Sequence, residues 1–349
     1  MKKELLLASA LASTVGMAGI AEAASATFSG HVRAGVEGED PDSATDSTTS
    51  APQLPNFNVS ISETTDAGMT IATGFTLADE GGAEADVSGL TLTFTDGSSL
   101  QLIEAGSASD AHDVSVPSAG GEQGVANTST NNSATGLVIG AGNDNVGFDY
   151  ATAADAFGIE GFSANVSASF NSDVATTSGT GATVTVENSY AVGVTYVTTA
   201  GDSTVTVGAG YHGTEYNNPT PTTDGSSYHM GATVVTGDLT VGAGYADGDW
   251  VSDIRQHSGS YAAAGAKYVS GDITFNIGVS AGDGIDETIG TAATSQEDSY
   301  DTVGASVDYV IASGVTGTLG YTQSESKDDG TDVETASGSA WYVGATVSF

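Results

Sequence analysis

From Thr27 onward the chain falls into runs of about ten residues in which apolar and polar positions alternate with period two, separated by Gly, Asp and Ser. In the last run Trp341, Val343, Ala345, Val347 and Phe349 share one face, and Tyr342, Gly344, Thr346 and Ser348 share the other. Phe162, Ala164, Val166, Ala168 and Phe170 alternate in the same way with Ser163, Asn165, Ser167 and Ser169, as do Ile273, Phe275, Ile277 and Val279 with Thr274, Asn276, Gly278 and Ser280. This pattern predicts strands with one apolar and one polar face. Sixteen are expected: 26–37, 55–65, 69–78, 88–95, 99–106, 144–151, 161–170, 187–198, 203–213, 226–236, 239–247, 259–269, 272–281, 299–311, 314–325 and 337–349. Short turns such as Ala200-Gly201-Asp202, Gly237-Asp238, Gly271-Asp272, Ser313-Gly314 and Asp96-Gly97-Ser98 join them in pairs, Gly and Asp tolerating the positive φ that tight hairpins need. Longer acidic connections rich in Gly, Ser, Thr and Asn join the pairs. Val207-Gly208-Ala209-Gly210-Tyr211 is echoed by Val241-Gly242-Ala243-Gly244-Tyr245, each just after a short turn.

An even number of strands with every long connection at one end predicts an all-β fold, a transmembrane antiparallel β-barrel of about 16 strands with long external loops and short periplasmic turns. The apolar face meets lipid, and the Thr, Ser, Asn and Gly face lines a lumen. Trp341 to Phe349, at about 3.3 Å per residue and about 40° of tilt, covers roughly 20 Å of an apolar band expected to be about 25 Å tall. The same phasing puts Tyr211, Tyr245 and Tyr321 near the external rim and Phe28, Phe94 and Tyr309 near the periplasmic rim. A soluble sandwich would match the alternation but has no reason to collect its long loops at one end.

The first residues read as an export signal. Met1-Lys2-Lys3 is positive, Leu5 to Ile20 is apolar, and both Ala21-Glu22-Ala23 and Ala24-Ser25-Ala26 fit small-x-small cleavage. We expect a signal peptide over 1–23, with cleavage possible to 26, and a mature barrel over 24–349. The competing reading of that stretch is a membrane anchor helix. No later segment is apolar enough for a spanning helix, which excludes a helical membrane protein but not a barrel.

Charge adds a second constraint. Six Lys and Arg stand against 44 Asp and Glu, a formal net charge of -38, and no Cys is present. Nucleic acid, which needs a basic surface, is excluded as a partner. Cations are attracted, and disulfide and thiolate chemistry are absent. Disorder, the other reading of so charged a chain, is opposed by the regular alternation.

The longest connection, about 107–143, is the third external loop. Its Asp110, Asp113 and Glu122, with neighbouring Glu104 and Asp144, are candidates for the acidic side of a pore constriction favouring cations. The competing reading is a solvated loop. Arg33, sharing a face with Ser29 and His31, points to the lumen, as does Lys267 between Ala266 and Tyr268; Arg255 and Lys327 are placed in loops. Further acids cluster at Glu37, Glu39, Asp40 and Asp42, at Asp247, Asp249 and Asp253, at Asp283, Asp286 and Glu287, and at Asp328, Asp329, Asp332 and Glu334. Such carboxylates are compatible with Ca²⁺ or with a salt-adapted surface, and Asp247-Gly248-Asp249 lacks the remaining positions of a calcium loop. No cofactor is expected otherwise. Gly-x-Ser-x-Gly, phosphate-loop and His-Glu-x-x-His motifs are absent, so an enzyme is not expected. His31, His112, His212, His229 and His257 are dispersed and read as lumen or loop residues with no metal role.

The leader, the alternating strands and the terminal Ala340-Trp341-Tyr342-Val343-Gly344-Ala345-Thr346-Val347-Ser348-Phe349 resemble Gram-negative outer-membrane proteins, whose assembly signal is a C-terminal aromatic. The opening Thr27-Phe28-Ser29-Gly30-His31-Val32-Arg33-Ala34-Gly35-Val36 resembles the first strand of the general porins of alphaproteobacteria, the Rhodobacter type. The resemblance implies a homotrimer in outer-membrane lipid and lipopolysaccharide, with the third loop folded inward. It also implies passive diffusion of small hydrophilic solutes and cations. The arginine cluster of that family's opposite wall is thin here. Two other readings stay open: a surface adhesin or calcium-binding secreted β-protein, which would not need Phe349, and a barrel enzyme with a Ser-His-acid or Asp-His set at its external rim.

Overall fold

The computed structural model describes residues 24–41, 47–51, 53–78, 87–102, 107–118, 147–170, 175–177, 183–217, 224–252, 255–288, 296–328 and 333–349. Among them sixteen strands form one closed antiparallel ring. They are β1 (Ser25–Pro41), β2 (Gln53–Thr64), β3 (Thr70–Ala78), β4 (Val87–Thr93), β5 (Ser99–Leu102), β6 (Gly147–Ala151), β7 (Phe162–Phe170) and β8 (Thr183–Ala200). The ring continues with β9 (Ser203–Asn217), β10 (Gly225–Thr236), β11 (Leu239–Ser252), β12 (Arg255–Ser270), β13 (Ile273–Thr288), β14 (Gln296–Ala312), β15 (Val315–Asp328) and β16 (Val333–Ser348). Two three-residue strands, Thr48–Ser50 and Ala175–Thr177, prolong β2 against β1 and β7 against β8. Each strand pairs with its chain neighbour, and β1 pairs with β16 from His31↔Ser348 to Pro41↔Gly338. Beyond that ladder the Gly30 and Phe349 backbones exchange hydrogen bonds of 3.1 and 3.2 Å, and the Phe349 ring packs 5.5 Å from that of Phe57.

The wall is apolar outside and polar inside. Outward positions stay exposed: Val192, Val194, Phe275, Ile277, Val279, Leu319, Val343 and Val347. Their inward neighbours are small polar residues that are buried, among them Ser167, Ser189, Thr214, Ser227, Thr318, Thr322, Ser324 and Thr346. A soluble β-fold would reverse these assignments, so the outer surface is one that lipid solvates. All six rim aromatics expected from the alternation are exposed. Tyr190 and Tyr211 lie 6.3 Å apart, as do Tyr228 and Tyr245, on four consecutive strands near the long-connection end. At the other end the two-residue turns place Gly201, Gly237, Gly271 and Gly314 at positive φ, where a Cβ would be strained.

Followed once round the ring, the pairing register returns to β1 displaced by about 20 residues. With strands about 4.8 Å apart, this corresponds to a tilt of about 40° and a wall radius of about 16 Å. A ring that wide leaves an aqueous lumen unless something fills part of it.

The strands run further than their apolar pattern. β9 continues to Asn217, β11 to Ser252, β13 to Thr288 and β15 to Asp328, carrying acids expected in loops into paired strand: Asp40, Asp247, Asp249, Asp283, Asp286, Glu287, Asp328 and Glu334. Arg255 and Lys327, also expected in loops, begin β12 and nearly end β15, with Lys327 2.6 Å from Glu325. The cause is that backbone pairing needs no apolar face. Beyond the membrane band the ladder persists while side-chain alternation fades, down to Ser252↔Arg255.

Candidate pore constriction

The connection from β5 to β6 is the longest in the chain, and residues 107–118 of it lie against the inner wall. This segment is extended except for one 3₁₀ turn at Asp110–His112. Its twelve residues cross seven consecutive strands, β7 to β13. Six inter-strand gaps of about 4.8 Å make roughly 29 Å, within the reach of a twelve-residue chain.

The wall has lost its side chains where the segment passes. A Cβ on Gly193 of β8 would meet the Ala108 carbonyl and the His112 ring, and one on Gly208 of β9 the His112 carbonyl. One on Gly210 would meet Ser109 and His229. The track continues through Gly231 (Val114 at 3.0 Å), Gly242 (Pro117 at 3.0 Å), Gly244 (Val116 at 3.3 Å), Gly265 (the Pro117 carbonyl) and Gly278 (Ser118 at 2.9 Å). The register aligns these glycines as Gly193↔Gly210, Gly208↔Gly231↔Gly244 and Gly242↔Gly265↔Gly278, making a groove across the strands.

Three histidines clamp the segment. His112 sits in a hydrogen-bonded chain: Thr195 Oγ1 is 2.7 Å from Nδ1, Nε2 donates to Asn165 Oδ1 at 3.0 Å, and Asn165 Nδ2 donates to the Asp149 carboxylate at 2.9 Å. His212 lies 3.3 Å from Ser107 Oγ and 3.0 Å from Thr214 Oγ1. His229 Nε2 donates to the Ser109 carbonyl at 2.9 Å, and the Ala108 N–H donates to Ser167 Oγ at 2.9 Å. Burial holds the imidazole of His112 below its ordinary pKa, the Asn165 bond opposing and His229 reinforcing the shift.

Of the acids expected to form a constriction, Asp110 and Asp113 lie on this segment and stay exposed to the lumen. Partial burial raises the Asp110 carboxyl above its usual range; His229 opposes this, and Asp113 adds to it. Glu104, Glu122 and Asp144 lie outside the described residues, as do Asp42, Asp253, Asp329, Asp332 and residues 1–23. Arg33 is on the inward face of β1, paired with Thr346, on the part of the ring away from the segment. Lys267 is on the inward face of β12, two residues from Gly265 toward the short turn. Sequence reasoning missed Asp149, and it placed Asn165 on the polar face and the three histidines in the lumen or loops without their role in holding the segment. Asp149 carried a readable signal, an acid alternating with Phe148 and Tyr150 in a strand. The histidines are separated by up to 117 positions in sequence and meet only through strand pairing. Among the described residues no three His, Cys, Asp or Glu side chains gather closely enough to hold a metal ion.

A family model described as Gram-negative porin matches residues 8–329. Comparison with curated proteins gave no match. Among solved structures, the anion-selective porin of Comamonas acidovorans is similar at TM-score 0.64 and 15% identity, covering 94% of this chain and 100% of its own. A mutant of the Rh. blastica porin is similar at TM-score 0.57 and 14% identity, with 93% and 100% covered. OmpT of Vibrio cholerae, described in a trimer form, is similar at TM-score 0.58 and 14% identity, with 94% and 100% covered. At these identities the likeness is one of fold.

Proposed function

The chain belongs to the Gram-negative porin family, and from that premise we propose that it is a cation-preferring pore whose constriction is made by the segment 107–118. Its place is the outer membrane, and its family and fold are those of diffusion channels rather than enzymes. The observation that carries the cation preference is the position of Asp110 and Asp113, exposed to the lumen on a segment seated across seven strands. Carboxylates in a narrow aqueous passage draw cations and repel anions. Among the described side chains Lys267 and Arg33 are the inward cations that oppose them, too few for a strong field of the other sign. The Comamonas acidovorans structure carries anion selectivity on a similar fold, so in this reading selectivity follows lumen charge rather than strand architecture.

Residues 1–23 act in the same proposal as a removed signal peptide, and Glu104, Glu122 and Asp144 as further constriction acids. The solutes are small, hydrophilic and preferentially cationic, and outer-membrane lipid and lipopolysaccharide surround the wall. A homotrimer is the proposed assembly, supported by the trimer form of the similar OmpT.

Reversal potentials across a salt gradient in planar bilayers test the reading. Replacing Asp110, Asp113 and Glu122 with Asn, Asn and Gln should lower cation preference more than replacing Asp328, Asp329 and Asp332 with Asn. Preference should weaken as salt rises above about 0.1 M, where the Debye length is about 10 Å. An anion-selective wild type would overturn the electrostatic reading. Equal effects of the two triplets would remove only the constriction from it.

A further inference from the structure

One polar atom in the clamp is left over. The His229 side chain is 95% buried, being 5% exposed, and its Nε2 is committed as a donor because a carbonyl, that of Ser109, faces it at 2.9 Å. The neutral ring therefore carries its lone pair on Nδ1. Among the described residues Nδ1 is buried and has no protein hydrogen-bond partner. It points at a carboxylate: Asp113 Oδ1 lies 3.8 Å away, with the Asp113 side chain 57% exposed to the lumen. Asp110 is close enough to act electrostatically on both. Two acceptors and a second negative charge thus face one another with no protein donor between them among the described residues. Bare, this arrangement is repulsive; a proton on Nδ1, a bridging water or a cation between Nδ1 and the carboxylate relieves it.

We propose that His229 and Asp113 form a lumenal site for a divalent transition-metal ion of the zinc class. An imidazole nitrogen and a carboxylate oxygen bound at about 2.0–2.2 Å sit roughly 3.4 Å apart across a tetrahedral angle, so the observed gap needs only a small side-chain shift. Imidazole selects this class over the oxygen-preferring Mg²⁺ and Ca²⁺. The Ser109 carbonyl supplies the outer hydrogen bond that a metal-bound histidine ordinarily donates, and it fixes the tautomer required. Asp110 supplies charge, and water completes the coordination, because no third protein ligand converges there. The exposed side of Asp113 is the entry path. Because Ser109 and Asp113 belong to the segment 107–118 and His229 to the wall, an ion held here ties the segment to β10. Among the described residues the charged and titratable groups around the pair are Asp110 and His112 on the segment and Tyr261 on the wall.

The test uses the full barrel in detergent, freed of metal and titrated with Zn²⁺ by equilibrium dialysis, a readout independent of conduction. Wild type is expected to hold one Zn²⁺ per chain more tightly than Asp113→Asn, which retains none of the carboxylate charge yet changes an exposed group that the fold does not need. Loss of outer-shell support alone weakens metal sites 10–100-fold, so loss of a ligand should weaken this one at least about tenfold. His229→Gln should do the same, and Mg²⁺ should not compete. Zn²⁺ bound equally by wild type and Asp113→Asn would overturn the proposal, as would displacement by equimolar Mg²⁺. A non-conducting protein that still shows the Asp113-dependent site would refute the pore reading and leave this one standing.

Discussion

The two parts of the lumen wall solve the same problem in opposite ways. From β7 to β13 the wall gives up its side chains, and glycines at successive register positions admit a segment of backbone that brings its own groups: Ser107, Ser109, His112 and Asp113. From there round through β16 to β1 the wall keeps its side chains and satisfies them internally. At the boundary Asn276 Nδ2 of β13 donates to Asp308 of β14 at 2.9 Å; beyond it Thr318 Oγ1 donates to the same carboxylate at 2.7 Å, and the buried Tyr342 ring covers Gly35 and Gly344. Glycine occurs in both parts, but in one it seats a loop and in the other it seats an aromatic ring of the wall itself. The lesson is that an inward glycine in such a barrel marks something lying on it, and only the partner tells which kind of thing.

Three changes should separate the two halves. Tyr342→Ala removes a side chain only 3% exposed and should cost about 3 kcal/mol of barrel stability, read as a lower unfolding midpoint, with single-channel conductance nearly unchanged. Gly193→Ala introduces a Cβ against Ala108 and His112, both on the segment. Overpacking of about 1–3 kcal/mol should loosen the seat rather than the barrel, raising conductance and hydrogen exchange over 108–114 with little change in midpoint. Conductance unaltered in Gly193→Ala and altered in Tyr342→Ala would reverse the assignment of the two halves. The third effect is the smallest. The docked His112 resists a proton that the undocked ring accepts, so docking should weaken as pH falls through 6.5, by at most about 1.4 kcal/mol per pH unit. Asp110, with its raised carboxyl, acts in the opposite sense nearer the ordinary carboxylate range, so the weakening should level off in acid. Exchange rates over 108–114 between about pH 7 and pH 5 check this, and His112→Gln should flatten the profile.

The outer surface was readable in the sequence because lipid imposes one requirement on every strand. Trp341, Val343, Val347 and Phe349 alternate cleanly, and their partners on β15 and β1 do the same. Strand ends were not readable where Asp283 or Asp328 enters the ladder, since pairing there is decided by backbone groups that every residue shares. The echo of 207–211 in 241–245 was visible as repetition, yet its meaning lies in Gly208, Gly210, Gly242 and Gly244, all beneath the segment. The repeat named the wall, and only the third body explained it. Asp110 and Asp113 were found because acids in the longest connection stand out. Their histidine partners were not, because contact between 113 and 229 is a property of ring closure.

The crossing segment also has a mechanical consequence. A closed ring of hydrogen-bonded strands is stiff along each strand but soft to flattening, in which the circular cross-section becomes an ellipse by hinging between neighbours. The segment 107–118 lies across six of those hinges and is fastened at β7 through Ser167, at β9 and β10 through His212 and His229, and at β12 and β13 through Gly265 and Gly278. Any change of curvature on that side must slide it along its groove and break contacts at several points together. It therefore behaves as a brace, and the braced arc holds its radius while the unbraced arc takes up the deformation.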